Sequence, residues 1–244
     1  MSRRNQVRRG DKMDFERYAV YYTPAPDHPI THFAAAWLGW DVHQGRSQPH
    51  PDIADLPQTV DQITQTPRKY GFHGTLKAPF YLAKGKTLTQ LQNAVDQFAS
   101  SHTAFEMGHL RLGTLGHFVA LVLAAPNPHF TGFAAACVQD LDGFRAPMTQ
   151  FDLNRRRAAG LTPQQDAYLT QWGYPYILEC FKFHLTLTGS LPPDHVKAVA
   201  AALETPMTPL LAQPFWMRHL TLCGQSRDGR FHVIERFPLA PATD

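Results

Sequence analysis

Apolar residues along this chain recur in two rhythms, alternating or spaced by three and four, with breaks rich in Pro and Gly between them. RYAVYYTP (17–24) is rich in aromatic and β-branched residues and stops at Pro24, which predicts a first strand. ITHFAAAWLGW sets Phe33, Trp37 and Trp40 at helical spacing, and residues 43–57, dominated by His, Gly, Pro, Gln and Asp, read as loop. Residues 70–78 are strand-like again. The next helix has an explicit start, because Thr87 and Gln90 form a T-x-x-Q capping pattern ahead of Leu88, Leu91, Val95 and Phe98. FEMGHLRLG and HFVALVLAAP predict two strands around a turn at Gly113 to Gly116, and TGFAAACVQDL predicts a helix ended by Gly143. Residues 145–160 carry Arg145, Arg155, Arg156 and Arg157. LTPQQDAYLTQWG then reads as a helix capped by Thr162, with Pro163 and Gln165 in its first turn and Gly173 past its end. After YPY come the strand ECFKFHLTLTG, a helix with Val196, Val199 and Leu203 on one face, the strand FWMRHLTLCG, a turn at SRDGR and the strand FHVIERF.

The second half thus repeats the order of the first. FEMGHLRL (105–112) and FWMRHLTL (215–222) agree at five of eight positions with an offset of 110. HGTL (73–76) and HLTL (184–187) agree at three of four with an offset of 111. Two segments that share one offset within a residue imply an internal duplication, of about 70–125 in 181–238.

Strand residues two apart share a face and lie about 6.5 to 7 Å apart along it. Gly71, His73, Thr75 and Lys77 are then expected on one face, and Lys182, His184, Thr186 and Thr188 on one face of the second strand. If the two units pack about a pseudo-twofold axis, these faces line one cleft with two imidazoles, hydroxyls and two ammonium groups. That set suits a phosphate diester. One imidazole serves as general base and the other, protonated, as general acid, while hydroxyls and lysines hold the phosphate oxygens.

Composition narrows the picture by exclusion. The 244 residues are 43% hydrophobic and 18% charged, which is ordinary for a globular enzyme. The formal charge of +3 is concentrated in residues 1–12, which carry +4 and leave the rest at −1, so a basic nucleic-acid surface is not expected. Residues 1–13 are expected to be a disordered basic tail, with Met13 a candidate start, and 14–240 a single bilobal domain. The tail has no apolar signal-peptide core, and no run of apolar residues is long enough to span a membrane, so a cytoplasmic protein is expected. Cys137, Cys180 and Cys223 are odd in number and widely spaced, which predicts buried hydrophobes rather than a disulfide framework. Among 13 histidines, His28 and His32 are separated by Pro29, and His43 and His50 share a loop with Asp52; neither group has metal-ligand spacing. His109 and His219, equivalent in the repeat, are expected to be structural. Phosphate-loop, dinucleotide, zinc-protease and nucleophile-elbow motifs are absent from the sequence.

Two H-x-[ST] strands about a hundred residues apart in a duplicated chain resemble the two-histidine (2H) phosphoesterase superfamily. RYAVYYTP, KYGFHGTLKAPF, FRAP, the Arg-rich run, WGYPY and FKFHLTLTG, in this order, are similar to its branch associated with phosphonate metabolism and carbon–phosphorus lyase. The resemblance spans about residues 17–238. It implies an α+β fold of two pseudo-symmetric antiparallel-sheet lobes flanking a central cleft, with His73, Thr75, His184 and Thr186 catalytic and no metal or cofactor. It also implies a small phosphorylated sugar or nucleotide cyclic phosphate as partner, with a ribosyl 1,2-cyclic phosphate bearing a 5-phosphate as the specific expectation. Lys77, Lys182, Arg145 and Arg155 are then candidates for a second phosphate, and Tyr22, Tyr70 and Tyr174 for the sugar. An RNA-end 2′,3′-cyclic phosphodiesterase or 2′-5′ ligase, and a non-catalytic phosphoribosyl-binding accessory protein of the lyase, stand as alternatives. Residues 145–176 are a candidate lid, and the oligomeric state is open.

Overall fold

A computed structural model describes residues 14–242, so the basic tail expected over 1–13 lies outside the described residues. The elements run β1 (Phe15–Tyr22), α1 (Pro29–Leu38), β2 (Trp40–Asp41), β3 (Arg46–Ser47), α2 (Val60–Arg68), β4 (Gly74–Phe80), α3 (Leu88–Ser100), β5 (Phe105–Gly108), β6 (Leu110–Leu115) and β7 (Phe118–Leu123). They continue with α4 (Pro128–Asp140), α5 (Gln150–Arg157), α6 (Pro163–Trp172), β8 (His184–Thr186), α7 (Pro193–Met207), β9 (Phe215–Met217), β10 (His219–Ser226) and β11 (Phe231–Pro238). The α+β class with antiparallel sheets is as expected. Seven strands form one sheet in the order β11-β10-β1-β4-β8-β7-β6, and β5 pairs with β9 in a small sheet of its own.

Local sequence explains most of these boundaries. The Thr87–Gln90 and Thr162–Gln165 capping boxes are both formed, and Gly173 closes α6 in the left-handed conformation. A third box, Thr59 with Gln62, starts α2, a helix that follows the expected loop of residues 43–57. Gly39, at φ 75°, stops α1 before Trp40, which belongs to β2 rather than to the helix. Pro128, in the first turn behind the Asn127 cap, opens α4 earlier than TGFAAACVQDL suggested, and a 3-10 turn at Asp142–Phe144 follows in place of a Gly143 stop.

Strand order changes the map of the duplication. Counted outward from the β4–β8 junction, β1 and β10 lie on one side and β7 and β6 on the other. The sheet therefore matches β1 with β7 and β10 with β6, leaving β11 as an added edge strand. The hairpins expected to correspond, β6–β7 and β10–β11, do not occupy equivalent places, because β7 sits beside β8 while β1, not β11, sits beside β4.

Alternation along β1 divides the interior. Tyr18, Val20 and Tyr22 join the main apolar cluster with residues of α1, α2, α3, α4 and α7, while Ala19 and Tyr21 point the other way into a smaller cluster with Trp40, Val42, Cys223 and Phe231. Cys137 and Cys223 are buried and Cys180 is half-buried, all three as free thiols. No described helix is long and apolar enough to cross a membrane.

Candidate active site

The two H-x-T strands meet at the centre of the sheet. β4 and β8 are joined antiparallel with Gly74 opposite Leu185, and that register brings Thr75 beside His184 and Thr186 beside His73. Four polar side chains thus form a square on one face, with the imidazoles on a diagonal. Cross-strand neighbours in such a square stand about 4.5 to 5.5 Å apart. Gly74 permits the approach, since a Cβ there would lie 2.3 Å from the ring of Phe183, which packs edge-on to Phe130 beneath.

Both histidines are held alike by their own strands. His73 Nδ1 lies 2.9 Å from Gly71 O, and His184 Nδ1 lies 2.7 Å from Lys182 O. A carbonyl oxygen only accepts, so in each ring Nδ1 carries a hydrogen and Nε2 is the nitrogen that gains or loses a proton. Thr75 Oγ1 stands 3.2 Å from His73 Nε2 and donates to it. Gly71, at φ 69° with Val42 2.5 Å from where a Cβ would sit, makes the turn that offers its carbonyl. The Tyr21 ring packs at 3.9 Å from the His73 ring, and Phe118 lies 5.6 Å from His184. Burial, with the nearby His184, pulls His73 down to about 4 against the Gly71 hydrogen bond. Burial also lowers His184, opposed by the Lys182 carbonyl.

Two adjoining cavities cover the square. One, about 390 Å³, is lined by His73, Thr75, Thr186, Tyr21, Tyr70 and Arg156; the other, about 730 Å³, by Thr75, His184, Phe118, Tyr174 and Lys182. A cavity of about 890 Å³ against β6, β7 and α4 contains no histidine. Among the described residues no group of three or more His, Cys, Asp or Glu is placed to hold a metal ion.

Of the residues singled out for substrate, Tyr70, Tyr174 and Lys182 line these cavities, and four others do not. Lys77 is buried on the opposite face, donating to Val138 O and Asp142 Oδ1 at 2.9 Å each. The pairing of β1 with β4 slips between Val20–Lys77 and Tyr21–Thr75, so strict alternation fails there and Lys77 turns away. Tyr22 faces the main core against Phe183, and its neighbour Tyr21, opposite Thr75, takes the place at the cleft. Arg145 is committed to Asp142 and to Gln171 O, and Arg155 is exposed on Asp152; both line a cavity of about 320 Å³ that adjoins the cavity of His73, sharing Arg17 and Arg156 with it, and that also holds Glu16 and Asp152. The sequence reading missed Tyr21, Arg17 and Arg156. The period-2 pattern of RYAVYY holds Arg17 and Tyr21 on one face, a signal that was available. His109 is exposed, so it does not anchor its strand, and His28 caps α1 through Nδ1.

An antiparallel sheet with one H-x-T strand from each half at its centre defines a paired-histidine α+β protein. The chain belongs to the family described as protein of unknown function DUF1045, whose sequence model matches residues 75–232. It is 38% identical over 176 residues to the ribose 1,5-bisphosphate phosphokinase PhnN of Janthinobacterium sp. (strain Marseille), covering 72% of this chain and 39% of that protein. To the protein of the same name from Laribacter hongkongensis (strain HLHK9) it is 30% identical over 198 residues, covering 81% and 46%. The chain spans less than half the length of these curated relatives. Among solved structures it is similar to a phosphoesterase, with TM-score 0.41 and 14% identity over 92% of this chain and 99% of that one. It is also similar to E. coli LigT complexed with phosphate, with TM-score 0.43 and 13% identity over 93% and 98%.

Proposed function

We propose that the protein is a phosphodiesterase that opens a small cyclic phosphate by paired-histidine acid–base catalysis, with 5-phosphoribosyl 1,2-cyclic phosphate as its substrate. The observation that supports this is the square of His73, Thr75, His184 and Thr186, with each Nδ1 tied to a backbone carbonyl, so that Nε2 is the nitrogen of each ring that exchanges a proton, that of His73 resting against the Thr75 hydroxyl. A phosphate over the square meets a threonine hydroxyl from each strand and has an imidazole on either side of phosphorus. His73, the more strongly lowered of the two, is neutral at physiological pH and takes the proton of an attacking water. The water oxygen bonds to phosphorus, the bond from phosphorus to the ribose 2-oxygen breaks, and His184 delivers its proton to that oxygen.

This regiochemistry leaves the phosphate on C1 and yields ribose 1,5-bisphosphate. The two relatives, of whose length the match to this chain covers 39% and 46%, carry the name of a kinase acting on that compound, which favours a unit delivering it. Phosphorus NMR of purified protein with the cyclic ribose phosphate tests the reading directly. The expected result is ribose 1,5-bisphosphate, with one oxygen from solvent in its C1 phosphate. Turnover of a 2′,3′-cyclic nucleotide alone would favour RNA ends, and turnover of neither would overturn the proposal.

The pH dependence follows from the two lowered imidazoles. In the free protein His73 loses its proton near pH 4, whereas His184 is protonated only below a value under 6.5. kcat/KM is therefore expected to rise through about pH 4 and to fall again at or below pH 6.5. A kcat/KM still climbing at about pH 8 contradicts the mechanism.

A further inference from the structure

The run of arginines in and around α5 is not uniform in what it does. Arg145 is paired with Asp142, Arg155 with Asp152 and Arg157 with Asp166. Arg156, between the last two, has no carboxylate within ion-pair reach among the described residues, and its buried Nε has no hydrogen-bond partner. Its guanidinium lies over the Tyr174 ring, 5.3 Å from the centroid, and it lines the cavity of His73. Facing the same cavity from β1 is Arg17. It donates to Gln225 at 2.6 Å and likewise has no carboxylate partner among the described residues. Between Arg17 and His73, on the same strand face as Arg17, stands Tyr21. Its side chain is fully buried and its hydroxyl has no partner.

Leaving buried donors unpaired is costly, and two guanidinium groups lining one small cavity without a counter-charge repel each other. Both costs disappear when an anion enters. We infer that Arg17, Arg156 and the Tyr21 hydroxyl form a second anion subsite beside the histidine square. The protein therefore selects a substrate that carries a terminal phosphomonoester in addition to the cyclic diester. This rests on the phosphodiesterase reading for the diester, but the subsite is defined by its own residues. It also replaces Arg145 and Arg155 as the second-phosphate residues, since those two are already neutralised. Two guanidinium groups suit a dianionic phosphomonoester, which offers three terminal oxygens to charge-assisted hydrogen bonds.

The experiment compares ribose 1,2-cyclic phosphate with and without the 5-phosphate in wild type, Arg17→Gln, Arg156→Gln, Tyr21→Phe and the exposed control Arg157→Gln. Wild type is expected to favour the 5-phosphorylated compound by about 10²-fold or more in kcat/KM. Each of Arg17→Gln and Arg156→Gln should lower that preference by about tenfold or more, mainly through KM, and Tyr21→Phe by a smaller factor. In the control Arg157→Gln both rates should stay within about twofold of wild type. A preference unchanged in both arginine variants overturns the subsite while leaving the hydrolysis standing. If wild type hydrolyses neither compound, the phosphodiesterase reading fails, and calorimetry with ribose 5-phosphate decides the subsite. Binding that weakens about tenfold in Arg156→Gln supports it; no binding, or equal binding by wild type and Arg156→Gln, overturns it.

Discussion

His73→Ala and His184→Ala are each expected to lower kcat on the cyclic ribose phosphate by about 10²- to 10⁴-fold, with the folded state intact. Neither ring is part of the hydrophobic clusters, and the side-chain contacts of each are mostly with its own strand and with Tyr21, Tyr70 or Phe118, so truncation leaves the sheet in place. The two losses should differ in kind. On a diester with an activated aryl leaving group the departing oxygen needs no proton, so His184→Ala should recover most of its activity there. His73→Ala should not, because the water still needs a base. Equal rescue of both variants, or of neither, would contradict the assigned roles, and full activity of either on the cyclic substrate would remove the paired-histidine mechanism altogether.

Asp142→Ala is expected to destabilise the protein by about 3 to 5 kcal/mol, measured by denaturant unfolding. The Lys77 side chain is only 4% exposed, with its Nζ 2.9 Å from Asp142 Oδ1. Asp142 also takes Arg145 in a two-pronged contact, through Nε to Oδ1 at 2.8 Å and Nη2 to Oδ2 at 2.9 Å. Burial works against the ionised carboxyl, but Arg145 and Lys77 outweigh it and hold Asp142 below its ordinary value. Lys77 moves down as well, because it is the more deeply buried partner and the penalty of burial exceeds what Asp142 returns. Deleting the carboxylate leaves an ammonium in the core beside an unpaired guanidinium. Adding Lys77→Met to Asp142→Ala should recover much of the loss, and a single-variant change within about 0.5 kcal/mol would show that the ion pair is not a structural support. The same linkage has a definite sign in acid. Asp142 titrates below 3.8 in the folded state, so its contribution is present above that pH and is lost as pH falls through its lowered value.

The sequence made β4 and β8 legible because a two-residue period can be read one strand at a time. His73, Thr75, His184 and Thr186 needed nothing more, and the capping boxes at Thr87 and Thr162 were equally local. What escaped depends on partners. Lys77 follows the alternation in its own strand, and only the slipped pairing with β1 turns it into the core. Arg155 and Arg156 are adjacent letters, and the roll of α5 decides which is exposed on Asp152 and which enters the cavity. The correspondence of β1 with β7 is a property of strand order, and RYAVYY and FVALVL share too few letters to reveal it. Tyr21 is a matter of phase within β1: strict alternation from Arg17 points to it, one residue before the Tyr22 expected at the sugar.

The near-twofold arrangement of the sheet also poses a problem of handedness for any reaction at its centre. Two equivalent jaws would accept a five-membered cyclic phosphate in either of two poses related by half a turn, and each pose would release a different ring oxygen. The segments leading from the first helix of each half to its histidine strand break this tie. One half contributes β2, β3 and α2, the other α5 and α6, and only the latter brings Arg156 and Tyr174 over the square. An off-centre pair of cations supplied by β1 and α5 gives the cleft a head and a tail. Which C–O–P bridge is severed then becomes a matter of how the ligand is seated rather than of the intrinsic reactivity of its ring.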